Sequence, residues 1–311
     1  MSVSDYSKSF QIIYDEKRRA CTVQFRCFDT PNSVTVFGDI GDETYIEDLL
    51  IGVRRSCLDY HRLWSFSLAD SDIARVNAPV ERISVDSRTA ALLASMKAFH
   101  KTEPTFDFTV GPVSYVWKHA EQVPSDADLR EALSHVGAEK VSISGNVVVK
   151  SDPLVKVDIG GAAKGFVADA IAVDLRAAGV KSADIDLGGN LYMLGRHPDD
   201  RPWRVSVRMP EGVCAKAPIF EVCDRSIVTS GSYERFVEIG GVRYQHIIDP
   251  MTGWPSESDI VSATVSAESS LQADMLATTA LLAGIRGLDA LKSRHPEEAF
   301  MVITDAGEIV R

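Results

Sequence analysis

The sequence predicts an α+β protein that forms one compact unit with two packed halves around a cleft. Helical and extended segments alternate along the chain without a regular βαβ repeat, which favours an α+β arrangement. The 311 residues contain no Pro/Ser-rich linker or low-complexity segment that would separate the halves. Because 45% of the residues are hydrophobic, the chain can bury a sizeable core. We therefore expect a single domain over residues 1–311.

The first half of the chain predicts strands followed by helices and a hairpin. The first segments are β-like, whereas the next ones carry apolar side chains at helical spacing. Ser125-Asp126 provides a typical helix start in front of a short third helix. The predicted elements are strands within Phe10–Phe37 with a turn at Asp29–Asn32, helices Glu47–Ser65 and Ser87–His100, a capped helix within Pro124–Gly137, and a hairpin Val141–Lys150 turning at Ser144-Gly145-Asn146.

The second half predicts helices separated by short strands. Gly179 follows the first of these helices at a position typical of a helix C-terminus. The predicted elements are a helix Phe166–Ala178, a strand Ala183–Leu187, a turn Gly188-Gly189-Asn190, strands Trp203–Val207, Ile227–Thr229, Phe236–Ile239 and Val261–Ser266, helices Ser270–Leu282 and Leu288–Arg294, and a strand Ala299–Ile303.

The charge and hydropathy of the chain exclude several classes of protein. With 33 Lys and Arg against 44 Asp and Glu, the net charge of −11 disfavours a nucleic-acid or anionic-membrane surface. An acidic protein that binds a polyphosphate needs converging basic side chains or a divalent metal. No run approaches the roughly 18 apolar residues of a membrane span, and the N-terminus lacks a signal-peptide pattern. We therefore expect a cytoplasmic protein with no nucleic-acid partner and no membrane segment.

The cysteines do not form a recognisable disulfide or zinc pattern. Their number, five, is odd, and no C-x-x-C pair occurs. We therefore expect reduced thiols, most of them buried, at Cys21, Cys27, Cys57, Cys214 and Cys223.

A glycine-rich turn that leads into a predicted helix carries the most informative local pattern. In Val157–Gly165, Asp158 is followed by Gly160, Gly161 and Lys164. Glycines let backbone N–H groups approach a phosphate closely, and the helix N-terminus and the lysine add positive charge. The glycine spacing and the lack of a following Ser or Thr exclude a Walker A loop. The segment indicates either a phosphate site or an ordinary glycine-rich turn with a solvated lysine.

A carboxylate and a hydroxyl lie four residues apart on the predicted helix Ser270–Leu282. Asp274 and Thr278 therefore project from one helix face about a turn apart. Such a pair can present two hard oxygen ligands to Mg²⁺, which keeps waters or substrate phosphates in its remaining positions. The alternative is an exposed aspartate beside a threonine that bonds to its own helix.

Three further segments carry polar groups whose role the residues alone leave open. His246 lies on the opposite side of an extended segment from Ile247, and it could contact a phosphate, act as a base or be structural. Thr229-Ser230 precedes Gly231 and indicates either phosphate contacts or a strand-end turn. Asp107 lies between two aromatic residues and could accept a hydrogen bond from a nucleotide or cap a turn.

The order of these motifs closely resembles the FAD:protein FMN transferase family, also called the ApbE family. The resemblance covers about residues 35 to 285. Each motif is short, but their joint occurrence in one order is specific. The matching segments are Ser65…Asp70-Ser71-Asp72-Ile73…Asn77, Phe106-Asp107…Gly111-Pro112, Asp158…Lys164-Gly165…Asp169, Asp186-Leu187-Gly188-Gly189-Asn190, Thr229-Ser230-Gly231…Tyr233…Arg235, His246…Asp249-Pro250…Thr252-Gly253 and Ala273-Asp274…Ala277-Thr278.

The resemblance implies an Mg²⁺-dependent enzyme that splits the FAD pyrophosphate, esterifies FMN to a Thr or Ser hydroxyl of a target protein and releases AMP. Asp274 and Thr278 would be metal ligands together with the backbone carbonyl of Gly161. His246 would lie beside the pyrophosphate and assist proton transfer, which makes His246 and Asp274 the expected catalytic residues. The residues expected to contact FAD are Thr105, Phe106, Asp107, Asp158, Lys164, Thr229, Ser230, Gly231, His246 and Ile247.

Two positions depart from the family pattern. Phe37-Gly38-Asp39 replaces the usual Met-Gly-Thr, and Ser67 occupies a usually aromatic position, with Phe66 displaced by one. Both positions are expected on the flavin side of the cleft, so we expect altered flavin packing beside complete phosphate and metal groups. The absence of a leader near Met1 implies an intracellular flavin-acceptor protein that carries the Thr or Ser target.

Two other activities are compatible with the same residues. Water could replace the acceptor hydroxyl, which would make the protein an FAD pyrophosphatase that yields FMN and AMP. A non-catalytic flavin-binding protein would instead bind FAD without releasing AMP, and it would tolerate the loss of Asp274. All three hypotheses imply an ApbE-like mixed fold around a flavin-binding cleft.

Overall fold

Sixteen short strands make up the β-structure of the described residues. The computed structural model describes residues 9–38, 42–210, 216–233 and 236–311, so Asp39, Cys214 and Arg235 lie outside the described residues. The strands are β1 (Phe10–Asp15), β2 (Ala20–Cys27), β3 (Thr30–Phe37), β4 (Arg82–Ser84), β5 (Val141–Ser144), β6 (Val147–Lys150), β7 (Ser182–Leu187), β8 (Asn190–Gly195), β9 (Trp203–Ser206), β10 (Ile219–Val222), β11 (Arg225–Gly231), β12 (Phe236–Ile239), β13 (Val242–Gln245), β14 (Ile260–Ala267), β15 (Ala299–Thr304) and β16 (Ile309–Val310).

Nine of these strands form one sheet with the order β1-β2-β3-β7-β8-β11-β14-β15-β16. Every pairing in the sheet is antiparallel. The sheet takes strands from both ends of the chain and so joins the two halves. The other strands form the sheet β4-β6-β5 and the ribbons β9-β10 and β12-β13. The predicted α+β class is confirmed, because helices do not alternate with parallel strands.

The described residues contain seven α-helices, three of which pack against the large sheet. The helices are α1 (Glu43–Trp64), α2 (Asp72–Val76), α3 (Ser87–Thr102), α4 (Gly111–Lys118), α5 (Asp126–Ser134), α6 (Ala163–Ala177) and α7 (Ser270–Arg294). Helix α1 packs on β2, α6 on β7 and β8, and α7 on β11 and β14. Within the described residues, no helix is both long and apolar enough to cross a membrane.

Apolar packing places the N-terminal ends of α6 and α7 side by side. Val34 of β3, Leu50 of α1 and Ile171 of α6 are at most 1% exposed and belong to the largest core cluster. Val265 of β14 and Leu276 of α7 are fully buried in a second cluster. Each such side chain contributes about 1.5–3 kcal/mol by leaving water. The two helices that carry predicted site residues are therefore fixed against one sheet.

The structure contains every helix that the sequence predicts. Helix α7 unites the two predicted C-terminal helices, with a break at Gly284, whose φ of 63° is left-handed. The carboxylate of Asp259 accepts the Ile285 N–H at 2.9 Å and so caps the second part. Helices α2 and α4 are absent from the sequence prediction, because both are too short to show a helical repeat.

The two predicted turns at Asp29–Asn32 and Gly188-Gly189-Asn190 are shorter in the structure. The first turn uses Phe28 and Asp29, which have left-handed φ values of 52° and 60°, and β3 already begins at Thr30. Gly188 and Gly189 have φ values of 63° and 87° and form a two-residue hairpin turn. Strand β8 therefore begins at Asn190, which places this residue in the sheet rather than in the turn.

The described cysteines are free thiols, as predicted. Cys21, Cys27 and Cys57 are buried, whereas Cys223 is partly exposed. Burial raises the pKa of the Cys27 thiol to about 12, so this group stays protonated and unreactive at neutral pH.

Candidate active site

A cleft of about 1110 Å³ brings the predicted site residues together. It lies where the loop after α3, the turn before α6, strand β11, the segment after β13 and helix α7 meet. Every residue that the family resemblance assigns to FAD, metal or catalysis lines this cleft, namely Thr105, Phe106, Asp107, Asp158, Gly161, Lys164, Thr229, Ser230, Gly231, His246, Ile247, Asp274 and Thr278.

The glycine-rich turn forms one wall of the cleft. The Asp158 N–H donates to the Phe108 carbonyl at 2.7 Å, and its carboxylate accepts the Gly160 N–H at 2.9 Å. Just before the turn, a single β-bridge pairs Lys156 with Val110. Helix α6 begins at Ala163, earlier than predicted, so the lysine that follows lies in the first turn of the helix. This turn is where the helix dipole favours an anion.

Lys164 lies among carboxylates near the centre of the cleft. Its Nζ donates to the Gly188 carbonyl at 3.3 Å. The lysine charge lowers the pKa of Asp186 and of Asp274, although burial raises both values. The Asp186 carboxylate also accepts the Gly189 N–H at 2.8 Å. Lys164 therefore already offsets part of the negative charge in the cleft.

The turn and helix α7 meet at Gly161, where a side chain would not fit. A Cβ atom at Gly161 would lie 2.8 Å from the Thr278 Oγ1 and 3.3 Å from the Phe106 ring. The Thr278 Oγ1 lies 3.3 Å from the Asp274 carbonyl oxygen and 3.3 Å from the Ser230 Oγ. The Gly161 backbone is therefore in close contact with the Thr278 hydroxyl, which the family resemblance assigns as a metal ligand.

Asp274 is a buried carboxylate at the floor of the cleft. It is 5% exposed, and its Oδ2 accepts the Gly165 N–H at 3.0 Å. Burial raises its pKa, whereas the Lys164 charge, the Gly165 N–H and the Asn190 amide lower it. Because Gly165 donates to one carboxylate oxygen, the other can bind a cation. A buried carboxylate gains most from such a partner.

The donor set fits magnesium better than zinc. Among the described residues, no group of three or more His, Cys, Asp and Glu side chains could hold a metal. Asp274, Thr278 and Gly161 instead offer one carboxylate, one hydroxyl and one backbone carbonyl. Magnesium accepts such oxygens and retains waters or phosphate oxygens, whereas zinc usually takes nitrogen or sulfur ligands.

The loop after α3 is held by its own hydrogen bonds. The Asp107 carboxylate accepts the N–H of Thr109 at 2.8 Å and its hydroxyl at 2.6 Å. Phe106 is 5% exposed and packs edge-to-face on Phe99 with ring centroids 5.3 Å apart. His100 Nδ1 lies 2.9 Å from the Phe106 carbonyl oxygen. Asp107 therefore caps a turn, which is one of the two roles that the sequence leaves open for it. It also lines the cleft.

His246 lies at the rim of the cleft, directly after β13. Its side chain is exposed, whereas Ile247 is buried, so the predicted opposite orientation is confirmed. The Ile247 carbonyl accepts the Ser256 N–H at 2.9 Å, and the Trp117 ring N–H donates to the Gly253 carbonyl at 2.8 Å. These bonds fix the segment that carries the histidine.

The end of β11 contributes hydroxyl groups to the opposite wall. The Thr229 and Thr264 hydroxyl oxygens lie 2.9 Å apart across the sheet. A Cβ atom at Gly231 would lie 3.1 Å from the Tyr233 ring, so the glycine gives this aromatic residue its place at the cleft. The contacts of Thr229 and Gly231 leave the neighbouring Ser230 able to contact a phosphate.

Several lining residues are absent from the sequence prediction. In the described part of the cleft, six aspartates face three basic side chains, namely Lys164, Arg208 and Arg243. Neither arginine belongs to a matching motif, and the sequence near them gives no indication of the cleft. Of the two options that the net charge leaves open for a bound polyphosphate, this acidic lining favours a divalent metal over converging basic side chains alone.

Of the two departures from the family pattern, Phe37, Gly38 and Ser67 do not line the described cleft, and Asp39 lies outside the described residues. Phe37 packs on Trp203 instead, with ring centroids 5.4 Å apart, inside a separate apolar cluster. Ser67 lies in an exposed turn, where its N–H donates to the Ser65 hydroxyl, and Phe66 is 51% exposed. These contacts, which the sequence does not reveal, account for the positions of Phe37 and Ser67 outside the cleft lining.

The fold and the cleft define an α+β protein whose site suits a phosphate-bearing ligand and a hard divalent cation. Residues 28–302 match the ApbE family, and the chain belongs to this family. It is 32% identical over 275 residues to the FAD:protein FMN transferase of Vibrio cholerae, which covers 85% of this chain and 80% of the relative. It is 36% identical over 249 residues to the Treponema pallidum protein of the same name, which covers 73% and 69%.

Solved structures of relatives have the same fold. The flavin transferase ApbE from Vibrio cholerae matches with a TM-score of 0.82 and 28% identity, covering 94% of this chain and 97% of that chain. The ApbE protein from Thermotoga maritima matches with a TM-score of 0.82 and 25% identity, covering 97% of each chain. The predicted ApbE-like mixed fold is therefore confirmed.

Proposed function

We propose that this protein is an Mg²⁺-dependent FAD:protein FMN transferase. It would cleave the FAD pyrophosphate, esterify FMN to a Thr or Ser hydroxyl of another protein and release AMP. One observation carries the proposal: Asp274, Thr278, Gly161, Lys164 and His246, which come from distant segments, line one cleft. The names of the curated relatives support FAD as the substrate and a protein as the acceptor.

The reaction transfers the phosphoryl group of the FMN half of FAD to the acceptor hydroxyl. The acceptor oxygen forms a bond to the phosphorus of the FMN half, and the bond from that phosphorus to the bridging oxygen breaks. AMP leaves with the bridging oxygen, and the hydroxyl proton must be removed. His246 is exposed at the rim, where an acceptor hydroxyl can arrive, so we assign proton removal to its imidazole.

Positive charge at the pyrophosphate is the second requirement. Lys164 can donate to a phosphate oxygen, because its hydrogen bond to the Gly188 carbonyl uses one of three ammonium hydrogens. Asp274, Thr278 and the Gly161 carbonyl would hold Mg²⁺, which supplies charge neutralisation at the phosphate oxygens when bound. Asp158 and Asp107 would orient the nucleotide through the backbone turns that they stabilise. An intracellular acceptor and a cytoplasmic location stay predictions.

Product analysis tests this proposal. The purified protein is incubated with FAD, Mg²⁺ and a candidate flavin-acceptor domain, and AMP, free FMN and acceptor mass are measured together. A transferase gives AMP and flavinylated acceptor in equal amounts, and EDTA stops both. AMP with equal free FMN and no acceptor mass gain would instead identify a pyrophosphatase. Bound, intact FAD would identify a non-catalytic protein.

A further inference from the structure

A buried polar cluster fixes the start of α7 against α6. The Asp169 carboxylate on α6 accepts the Ser269 hydroxyl at 2.8 Å, the Ser270 N–H at 2.7 Å and the Leu271 N–H at 3.0 Å. The two N–H groups belong to the first turn of a helix, which has no partners of its own for them. A Cβ atom at Gly165 would clash with the Ser270 carbonyl oxygen, so the two backbones are in close contact.

The cluster extends to Asn190, the first residue of β8. The Ser270 hydroxyl donates to the Asn190 Oδ1 at 2.7 Å, and the Ser226 hydroxyl lies 2.8 Å from the Ser270 Oγ. All three residues are 0% exposed. The carbonyl end of the Asn190 amide is therefore fixed against the first turn of α7.

The Asn190 amide lies beside the Asp274 carboxylate. Ser270 and Asp274 are four residues apart on α7, so they share one helix face, and the amide that contacts Ser270 adjoins Asp274. Asn190 Nδ2 is buried and makes no hydrogen bond of ordinary geometry within the described residues, and a weaker polar contact between the Asn190 amide and the carboxylate lowers the pKa of Asp274. An unpaired buried donor is destabilising, so its place beside a carboxylate calls for a function.

We propose that Asn190 is a positioning residue for Asp274, an assignment that rests on the proposed function. The Asn190 amide and the Gly165 N–H hold the inner side of the carboxylate, so that an oxygen faces the cleft for the divalent cation. Asn190 does not touch the substrate in this arrangement. Loss of a residue that orients a metal ligand typically costs 10- to 100-fold in metal affinity.

Binding of Mn²⁺ alone tests the assignment without catalysis. Free Mn²⁺ is measured by its electron paramagnetic resonance spectrum as the ion is titrated into wild-type protein and Asn190→Leu, which keeps the volume but removes the amide. We expect the Kd for Mn²⁺ to rise about tenfold or more in the variant. Equal Kd values overturn the role of Asn190 and leave the proposed function intact. A wild-type protein that binds no Mn²⁺ overturns the metal site itself, and the Asn190 proposal with it.

Two further variants separate positioning from general loss of stability. Ser262→Ala removes the unpaired hydroxyl of another fully buried side chain in the same sheet, and it should leave the Mn²⁺ affinity unchanged. Ser270→Ala releases the carbonyl end of the amide and should raise the Kd less than Asn190→Leu. If Asn190→Leu does not fold, Ser270→Ala decides, because an unchanged Kd in that variant overturns the proposal.

Steady-state kinetics supply a second readout. In Asn190→Leu, the Mg²⁺ concentration for half-maximal rate should rise about tenfold, while kcat at saturating Mg²⁺ and the KM for FAD change much less. A purely structural role would lower the fraction of active enzyme and leave the Mg²⁺ dependence unchanged. That result would overturn the assignment.

Discussion

Lys150 and Lys164 precede and follow the Asp158 turn and have opposite surroundings. Lys150 is 1% exposed, and its Nζ donates to the carbonyl oxygens of Val76, Ala78, Pro153 and Val155 at 2.8–3.0 Å. Lys164 is half-buried at the cleft, and its one hydrogen bond among the described residues, to a carbonyl, is 3.3 Å long.

The comparison separates a structural ammonium group from one that can bind a ligand. An ammonium has three N–H donors, and four carbonyl acceptors occupy all those of Lys150. Lys164 retains N–H donors that can form hydrogen bonds with a phosphate. Polar groups whose hydrogen bonds are all made within the protein should therefore control stability. Polar groups in the cleft that retain hydrogen-bonding capacity should instead control activity. Single substitutions test this distinction.

The largest effect on activity is expected from Asp274→Ala. The substitution removes the one carboxylate of the proposed metal site, so we expect FMN transfer to fall by at least about 100-fold. Transfer is measured as AMP release at saturating FAD and Mg²⁺. A circular dichroism spectrum like that of the wild type controls for folding, and normal activity would refute the metal assignment.

The matched pair Lys150→Met and Lys164→Met tests the comparison directly. Lys150→Met leaves buried carbonyl groups unpaired, so we expect a loss of about 3–5 kcal/mol in the free energy of unfolding. Lys164→Met should change that free energy by less than about 1 kcal/mol but lower the transfer rate about 100-fold. Urea denaturation and AMP release measure the two effects. Similar losses of stability in both variants would remove the distinction.

His246→Ala should lower the rate while FAD still binds. The variant loses the proposed proton acceptor at the exposed rim, and general-base catalysis contributes about 10²-fold or more. Flavin fluorescence reports FAD binding, and AMP release reports turnover. An unchanged turnover would exclude the histidine from the mechanism.

Thr278 and Thr279 provide adjacent hydroxyls with different expected roles. The Thr278 hydroxyl adjoins Gly161 in the cleft, whereas Thr279 is 1% exposed and donates to the Met275 carbonyl at 2.8 Å. Thr278→Val should raise the Mg²⁺ concentration for half-maximal rate about tenfold. Thr279→Val should leave it unchanged and cost about 1 kcal/mol of stability. The reverse pattern would contradict the assignment of Thr278 to the metal.

Asp184 gives the smallest expected effect on activity, because its unpaired carboxylate oxygen is buried and the residue does not line the described cleft. Its Oδ1 is buried without a hydrogen bond in the described residues, and burial and the Asp186 charge raise its pKa from 3.8 to about 6. The folded state therefore binds the proton more tightly than the unfolded state does. The stability from this proton is complete below pH 3.8 and is lost as the pH rises through about 6.

Asp184→Asn should mimic the protonated form. Relative to the wild type, its free energy of unfolding should increase between about pH 4 and pH 7, by up to about 3 kcal/mol. Urea denaturation at both pH values measures the difference, and FMN transfer should stay unchanged. A constant difference across this range would contradict the raised pKa.

Local patterns in the sequence indicated the elements but not all of their contacts. The capping box at Ser125 and the glycine-rich turn are short-range features, and both predicted a nearby helix correctly. The site residues required recognition of the ordered motifs, because their convergence depends on the sheet. Nothing near Lys150 indicates its four carbonyl partners, which β-pairing and the turns around it assemble. Asn190 likewise belongs to one of the ordered motifs, but its contact with Ser270 depends on how α7 packs.

The most direct measurement is tandem mass spectrometry of an acceptor domain after reaction with this protein, FAD and Mg²⁺. The FAD:protein FMN transferase of Vibrio cholerae serves as the positive control, which shows that the acceptor domain can be modified. We predict FMN in phosphoester linkage to one Thr or Ser side chain of the acceptor. An acceptor that the control modifies and this protein leaves unmodified would contradict the proposed transferase activity.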